Sequence, residues 1–248
     1  MIFLSDLDNT LIFSYKKMSP DNLCVETKEG KKLSYMTYEG GRLFREMTEK
    51  MRFIPITTRS VEQYSRITFP GGFTPEYAIT SNGANLLING IPDKPWREEI
   101  SDNIAACAAE FAALEEYLKS CPEVYFDIRI VDSAFLFTKC RNANEIITRM
   151  NREISPALTK LFSCGDKLYS LPLTLGKETA LARMRERFPH EKIVAAGDSL
   201  FDEGMLRAAD IAIVKSGELS GKILNPIRFT EESDDPDFAL KAVLKAAG

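Results

Sequence analysis

Histidine is almost missing from this chain: His190 is the single one in 248 residues. It stands in Phe188-Pro189-His190-Glu191, beside neither a nucleophile nor a second metal ligand. A Ser-His-Asp triad or a histidine-based zinc site therefore has nothing to run on, and any chemistry falls to carboxylates, lysine and hydroxyls. Cysteine is sparse as well. The five (Cys24, Cys107, Cys121, Cys140, Cys164) are odd in number and widely separated, with no Cys-x-x-Cys pair. That excludes the usual zinc and redox motifs and predicts reduced, packing cysteines. There is no positive excess: the formal charge is -4 and the lysines and arginines are scattered, so nucleic acid is not an expected partner. No apolar run approaches the roughly 18 residues of a membrane span, and the N-terminus lacks a signal-peptide layout. No membrane partner and a cytoplasmic location are expected.

What is there begins at once. Ile2-Phe3-Leu4-Ser5 is an apolar run of strand length that ends in Asp6-Leu7-Asp8-Asn9-Thr10. Two aspartates at i, i+2 share a face on an ideal strand, and they stand where open α/β sheets bind ligands, just past the carboxyl end. Taken alone, Asp-x-Asp-Asn is equally an Asx-rich turn.

The rest of the chain alternates strands with helices at both ends and changes texture in the middle. Leu23–Thr27 and Leu33–Thr37 flank Gly30 as a lysine-rich hairpin, expected to overhang the site from its place after Asp8. Leu43, Phe44, Met47 and Met51 predict a helix over 39–51. Arg52–Thr57 reads as a strand, demoted towards an edge by Pro55. Ser60 and Gln63 have capping-box spacing, predicting a helix that runs to about Phe69. Tyr77–Thr80 is a third strand and closes in Ser81-Asn82-Gly83-Ala84. Residues 85–165 then read as an antiparallel unit. Asn89-Gly90 marks a hairpin, a helix from Ser101 carries Ile104, Cys107, Phe111, Leu114 and Leu118, strands flank Asp132-Ser133 and Gly165-Asp166, and a second helix covers 142–154. Alternation returns with Gly176-Lys177 opening a helix, the strand Lys192–Ala196 running into Gly197-Asp198, a helix at Gly204–Ala209, a strand at Ile211–Val214, another at Ile227–Phe229 and a last helix from about Asp235. The expected organisation is an α/β parallel-sheet core (1–84 and 166–248) with an inserted α+β unit (85–165).

Three strand ends now carry polar groups: Asp6 with Asp8, Thr57, and Asp198 with Asp202. In a parallel sheet these ends meet at one crevice. Four carboxylates brought together repel unless a cation sits among them, and an all-oxygen set suits Mg²⁺.

These motifs resemble those of the haloacid dehalogenase superfamily of phosphatases. Asp6-Leu7-Asp8-Asn9-Thr10 is similar to its Asp-x-Asp-x-Thr motif, and Thr57-Thr58-Arg59 to its Thr-Gly-Arg, with Thr58 in place of glycine. Gly176-Lys177 resembles the third motif and Gly197-Asp198-Ser199-Leu200-Phe201-Asp202 the fourth, where Phe201 replaces a frequent asparagine. The inserted unit resembles the C2-type cap of the sucrose-phosphate phosphatase and Cof-like branch, with a Rossmann-like core beneath it. The resemblance implies a Mg²⁺-dependent phosphomonoesterase acting on a small phosphorylated metabolite, in particular a sugar phosphate. It implies Asp6 as nucleophile, Asp8 as acid and base, and Thr57 and Lys177 as phosphate holders, with Lys167 a weaker candidate for the lysine role. It further implies Thr58, Arg59 and Asn82 at the substrate, and Asp6, Asp8 and Asp198 at the metal with Asp202 as ligand or orienting carboxylate. A cap is expected to close over the site and choose the substrate. A phosphomutase or phosphotransferase of the same superfamily, and a non-catalytic regulatory relative, are the alternatives.

Overall fold

A computed structural model of the chain describes residues 1–215, 219, 221–225, 228–230 and 234–247. In chain order the strands and helices are β1 (Ile2–Ser5), β2 (Phe13–Ser14), β3 (Leu23–Lys28), β4 (Lys31–Met36), α1 (Tyr38–Lys50), β5 (Arg52–Pro55), α2 (Val61–Tyr64), β6 (Tyr77–Thr80), β7 (Asn85–Ile88) and β8 (Ile91–Pro92). Next come α3 (Lys94–Ala106), α4 (Ala108–Lys119), β9 (Arg129–Val131), β10 (Phe135–Lys139), α5 (Ala143–Glu153), β11 (Thr159–Cys164) and β12 (Lys167–Pro172). The last are α6 (Lys177–Arg187), β13 (Ile193–Gly197), α7 (Glu203–Ala208), β14 (Ile211–Val214), β15 (Arg228–Thr230) and α8 (Phe238–Ala247). They divide into two compact units, Met1–Pro92 with Lys177–Gly248, and Asp93–Gly176.

The first unit is built on a five-stranded parallel sheet in the order β15-β14-β13-β1-β5. β1, β13 and β14 are buried along their whole length. That is why their sequences are near-continuous apolar runs rather than alternating ones. The chain goes from β1 outwards to β5 on one side, then returns to β13 on the other. The reversal of direction lies between β1 and β13, which opens a crevice beyond their carboxyl ends. Pro55 sits on the edge strand, as its missing N–H requires. α1 is capped by Thr37, whose hydroxyl accepts from the Gly40 N–H, and turns Leu43, Phe44 and Met47 inward. Phe44 meets Phe53 edge-on at 5.1 Å and stacks on Phe69 at 5.4 Å. A side chain of that size in such a core is worth about 3–5 kcal/mol when truncated to alanine.

Several elements differ from expectation. The helix begun by the Ser60–Gln63 capping box stops at Tyr64. β-branched Ile67 and Thr68 follow and pair with β3 instead: Ile67 bridges Glu26, and the Thr68 N–H donates to the Val25 carbonyl. β7 and β8, expected in the inserted unit, form a three-stranded sheet with β6 in the first unit. Asn89 (φ 50°) and Gly90 (φ 80°) make the turn between them. Ile227, placed by the sequence in the strand that is β15, lies outside the described residues.

The second unit is a four-stranded antiparallel sheet, β11-β12-β10-β9. Its core contains Phe111, Leu114 and Leu118 of α4, Ile146 and Met150 of α5, and Leu136 and Leu168 of the sheet. The stretch expected to be one helix from Ser101 is two. α3 starts seven residues earlier, where the Asp93 carboxylate caps the Trp96 N–H and Pro95 occupies the first turn, a start signal legible in Asp93-Lys94-Pro95. Cys107 is the joint between the helices. Among the described residues no helix is long and apolar enough to cross a membrane.

Candidate active site

The loop after β1 is pinned by apolar anchors. Leu7, Leu11 and Ile12 are buried, and the Leu7 carbonyl accepts from the N–H groups of Thr10, Leu11 and Ile12. Asn9 takes the left-handed conformation (φ 62°) that this tight loop needs. The Asp6 N–H donates to the Ala196 carbonyl at 2.9 Å, holding Asp6 beside the end of β13. Beyond the strand the shared face of i and i+2 is lost. Asp6 is buried (6% exposed) and turns inward, whereas the Asp8 side chain is 46% exposed.

Lys177, at the start of α6, lies beneath this loop with 1% of its surface exposed. Its Nζ donates to Asp6 Oδ1 at 2.5 Å and to Asp202 Oδ1 at 2.6 Å. Asp202 is fully buried and uses its second oxygen as well: Oδ2 accepts from the N–H groups of Asp198 and Ser199 and from the Ser199 hydroxyl, at 3.0–3.1 Å. Ser199 and the backbone thus orient this carboxylate without the asparagine that Phe201 replaces. A Cβ on Gly197 would stand 2.3 Å from Asp202 Cβ, so this close approach requires glycine.

Oxygens of Asp6, Asp198 and Asp202 lie within 4.8 Å of one another. Three carboxylates against the one ammonium of Lys177 leave two negative charges uncompensated. The electrostatics bear this out. Burial, then Asp202, raise the Asp198 carboxyl to about 6, with Lys177 opposing. Burial likewise raises Asp6 well above the ordinary range, against Lys177 and with Asp202, Asp198 and Asp8 adding to it. Burial works against the Lys177 charge, yet Asp202 and Asp6 hold it above its usual range. An excess of negative charge on hard oxygen donors, next to a crevice, fits a small divalent cation such as Mg²⁺. Asp202 has both oxygens engaged, which makes Asp6 and Asp198 the better-placed ligands.

Asp8, grouped with these residues in the sequence, is outside the cluster. Arg59 holds both of its oxygens, Nε to Oδ2 and Nη2 to Oδ1, each at 2.8 Å. Thr57 is fully buried; its hydroxyl accepts from the Arg59 N–H at 3.2 Å, and Thr58 beside it is partly buried. The Ser81-Asn82-Gly83 turn is stitched to this loop. The Ser81 N–H donates to the Arg59 carbonyl and the Asn82 N–H to the Thr57 carbonyl. Ser81, Asn82 and Gly83 all have positive φ (52°, 57° and 105°). Asn82 is 3% exposed and its Oδ1 has no hydrogen-bond partner. Lys167 begins β12 in the second unit.

Sequence reasoning missed Glu26, Ser34 and the orienting role of Ser199. Alternation along Leu23-Cys24-Val25-Glu26-Thr27 sends Glu26 outwards when Val25 points in. A β-bulge between β3 and β4 at this place breaks the alternation, so Val25 and Glu26 are both buried. No signal in the strand announces it.

The family profile described as "Sucrose-6F-phosphate phosphohydrolase" matches residues 1–225. Among solved structures, similar ones include the sucrose-phosphatase from Synechocystis sp. PCC6803 in complex with sucrose and phosphate, with 15% identity, 99% of this chain and 97% of that chain covered, and a TM-score of 0.67. A trehalose-6-phosphate phosphatase related protein shares 15% identity over 99% of both chains with a TM-score of 0.59. A haloacid dehalogenase-like hydrolase from B. subtilis shares 15% identity, with 99% and 98% covered and a TM-score of 0.60. At such identities the likeness establishes the fold. No curated protein sequence matches.

Proposed function

The chain belongs to the sucrose-6F-phosphate phosphohydrolase family and is a phosphatase of the haloacid dehalogenase superfamily, and from that premise we propose that it hydrolyses a sugar phosphate, with a phosphorylated disaccharide as first candidate, through a phosphoryl group carried on Asp6. The observation that carries this reading is the seat of Asp6. A buried carboxylate at the end of the central strand is fixed through one oxygen by Lys177, with the Thr10 hydroxyl 3.4 Å from the other.

In this reading Asp6 Oδ2 attacks phosphorus. The bond to the sugar oxygen breaks as the Asp6–phosphorus bond forms, and Asp8 gives the leaving oxygen its proton. Asp8, now a carboxylate, takes a proton from water, whose oxygen attacks phosphorus and frees Asp6 and inorganic phosphate. Two of the three Lys177 protons are spent on Asp6 and Asp202; the third, with the Thr57 hydroxyl, is left for the non-bridging oxygens where charge gathers. Asp6 and Asp198 would hold Mg²⁺, with Asp202 keeping them in place; when bound, it supplies the positive charge that lets an anionic carboxylate approach an anionic phosphate. Thr58 and Asn82 stand at the same strand ends as candidate substrate contacts, whereas the Arg59 guanidinium is turned to Asp8.

The test is phosphate release from sucrose 6F-phosphate, trehalose 6-phosphate and glucose 6-phosphate, with Mg²⁺ and with EDTA. Release that needs Mg²⁺, is lost in Asp6→Asn and is accompanied by a hydroxylamine-sensitive phosphoryl group on the wild-type protein is the expected result. Full release from Asp6→Asn would overturn the mechanism.

A further inference from the structure

Glu26 is a buried acid that the reaction above does not use. It stands on β3 and is 3% exposed. Every part of its carboxylate is engaged. Oε2 accepts from the Ser34 hydroxyl at 2.6 Å and lies 2.9 Å from Arg59 Nη1, and Oε1 accepts from Arg66 Nε at 3.1 Å. Arg59 Nη2 also donates to Ser34 Oγ at 3.4 Å. The same guanidinium therefore faces two carboxylates, Glu26 on its buried side and Asp8 on its open side. Burial works against the Arg59 charge, but Asp8 and Glu26 together hold the guanidinium above its usual range, so it stays a cation.

Buried ion pairs of this kind add little to stability, because desolvation cancels most of the attraction. What such a pair does supply is direction. An arginine fork paired at its inner edge with Glu26, and with Nη2 on the Ser34 hydroxyl, has its outer edge turned in one direction. The outer edge is what holds Asp8. Asp8 stands beyond the end of β1 with its side chain 46% exposed, and a proton donor must lie in line with the leaving oxygen. A carboxylate offers about four acceptor sites, and the fork takes one on each oxygen of Asp8. The β-bulge that buries Glu26 is the kind of feature that re-aims one side chain.

We propose that Glu26 and Arg59 are positioning residues for the reaction: Glu26, seated on the β3–β4 hairpin, aims the Arg59 fork, and the fork orients the Asp8 carboxyl, which gives its proton to the leaving oxygen and becomes the carboxylate. This rests on the reading of Asp8 as the acid. It also gives the hairpin a part in the reaction through one buried residue rather than through its exposed lysines.

The experiment compares two substrates that differ in their need for a proton donor, sucrose 6F-phosphate and 4-nitrophenyl phosphate, whose nitrophenolate leaves without one. For Glu26→Gln, kcat/KM on the sugar phosphate is expected to fall about tenfold or more while the aryl phosphate loses less than about threefold, the size expected of misplaced rather than deleted acid catalysis. Arg59→Lys, which keeps the charge but not the fork, is expected to show the same split and carries the test if Glu26→Gln melts early. Asp8→Asn should show a larger split of the same sign. An equal loss on both substrates in both variants, or no loss on either, overturns the positioning role. If Asp8→Asn itself shows no split, the assignment of Asp8 fails, whatever Glu26→Gln does.

Discussion

The ammonium of Lys177 lies 2.5 Å from Oδ1 of Asp6, and neither side chain is more than 8% exposed. The same ammonium reaches Asp202 at 2.6 Å, so one buried cation ties the end of β1 to the loop after β13. Removing it leaves two buried carboxylates without their counter-charge. Lys177→Met, which keeps the stem and deletes the charge, is expected to cost about 3–5 kcal/mol in chemical denaturation and to lower kcat by about a hundredfold or more. A variant with both values near those of the wild type would show that the pair is incidental.

Asp198 gives a prediction with a defined pH window. Its carboxyl titrates at about 6 in the fold against the ordinary 3.8, so the folded state binds the proton more tightly than the unfolded one. The stability this contributes is fully present below about pH 4 and is lost as pH rises through about 6. At pH 7.5 in EDTA the charged group is a net cost, and Asp198→Asn should raise stability, by about 1–3 kcal/mol for a shift of this size. The gain should vanish near pH 4. Added Mg²⁺ should raise the Tm of the wild type and leave that of Asp198→Asn unchanged, while phosphate release is abolished in the variant. Thermal melts across pH, with and without Mg²⁺, decide it; equal Tm at every pH would show that Asp198 carries no strain.

Such residues were legible because the parallel sheet gathers strand ends. Asp6, Thr57 and Asp198 are far apart in sequence, but each follows an apolar run with little ambiguity, and β1, β5 and β13 are where those runs predict. Lys177 is legible only through the resemblance of Gly176-Lys177, at a helix start, to the third motif of the superfamily. The Asp8 contact was not, since i, i+2 geometry holds only within a strand, and the chain has left β1 before reaching Asp8. Arg59 is a candidate substrate contact by its strand-to-helix junction and its resemblance to Thr-Gly-Arg, and nothing in the sequence pairs it with residues 8 and 26. The Glu26 network depends on a bulge, and a bulge shifts register without a compositional mark. Helix ends failed for a related reason: α2 stops where Ile67 and Thr68 find strand partners, a tertiary choice that overrides local capping.

Asn82 offers a way to separate backbone from side chain. With Ser81 and Gly83 it forms three successive residues of positive φ, a conformation that costs a non-glycine residue about 1–3 kcal/mol unless its surroundings enforce it. Here they do, through the bonds from the Ser81 and Asn82 N–H groups to the Arg59 and Thr57 carbonyls. The side chain is another matter. Its Oδ1 is buried with no hydrogen-bond partner, so the fold gains nothing from that polar atom and loses its hydration. A ligand that donates to Oδ1 would remove the penalty. Asn82→Gly accepts the left-handed conformation freely and deletes only the side chain. The expected outcome is a stability within about 1 kcal/mol of the wild type, since relief of strain offsets the added freedom of the unfolded chain, together with a KM for sucrose 6F-phosphate raised by about tenfold, the usual worth of one polar contact. Denaturation curves and steady-state kinetics on the same preparation separate the cases. Unchanged KM would make Asn82 a turn residue only, and a large loss of stability would make its side chain structural.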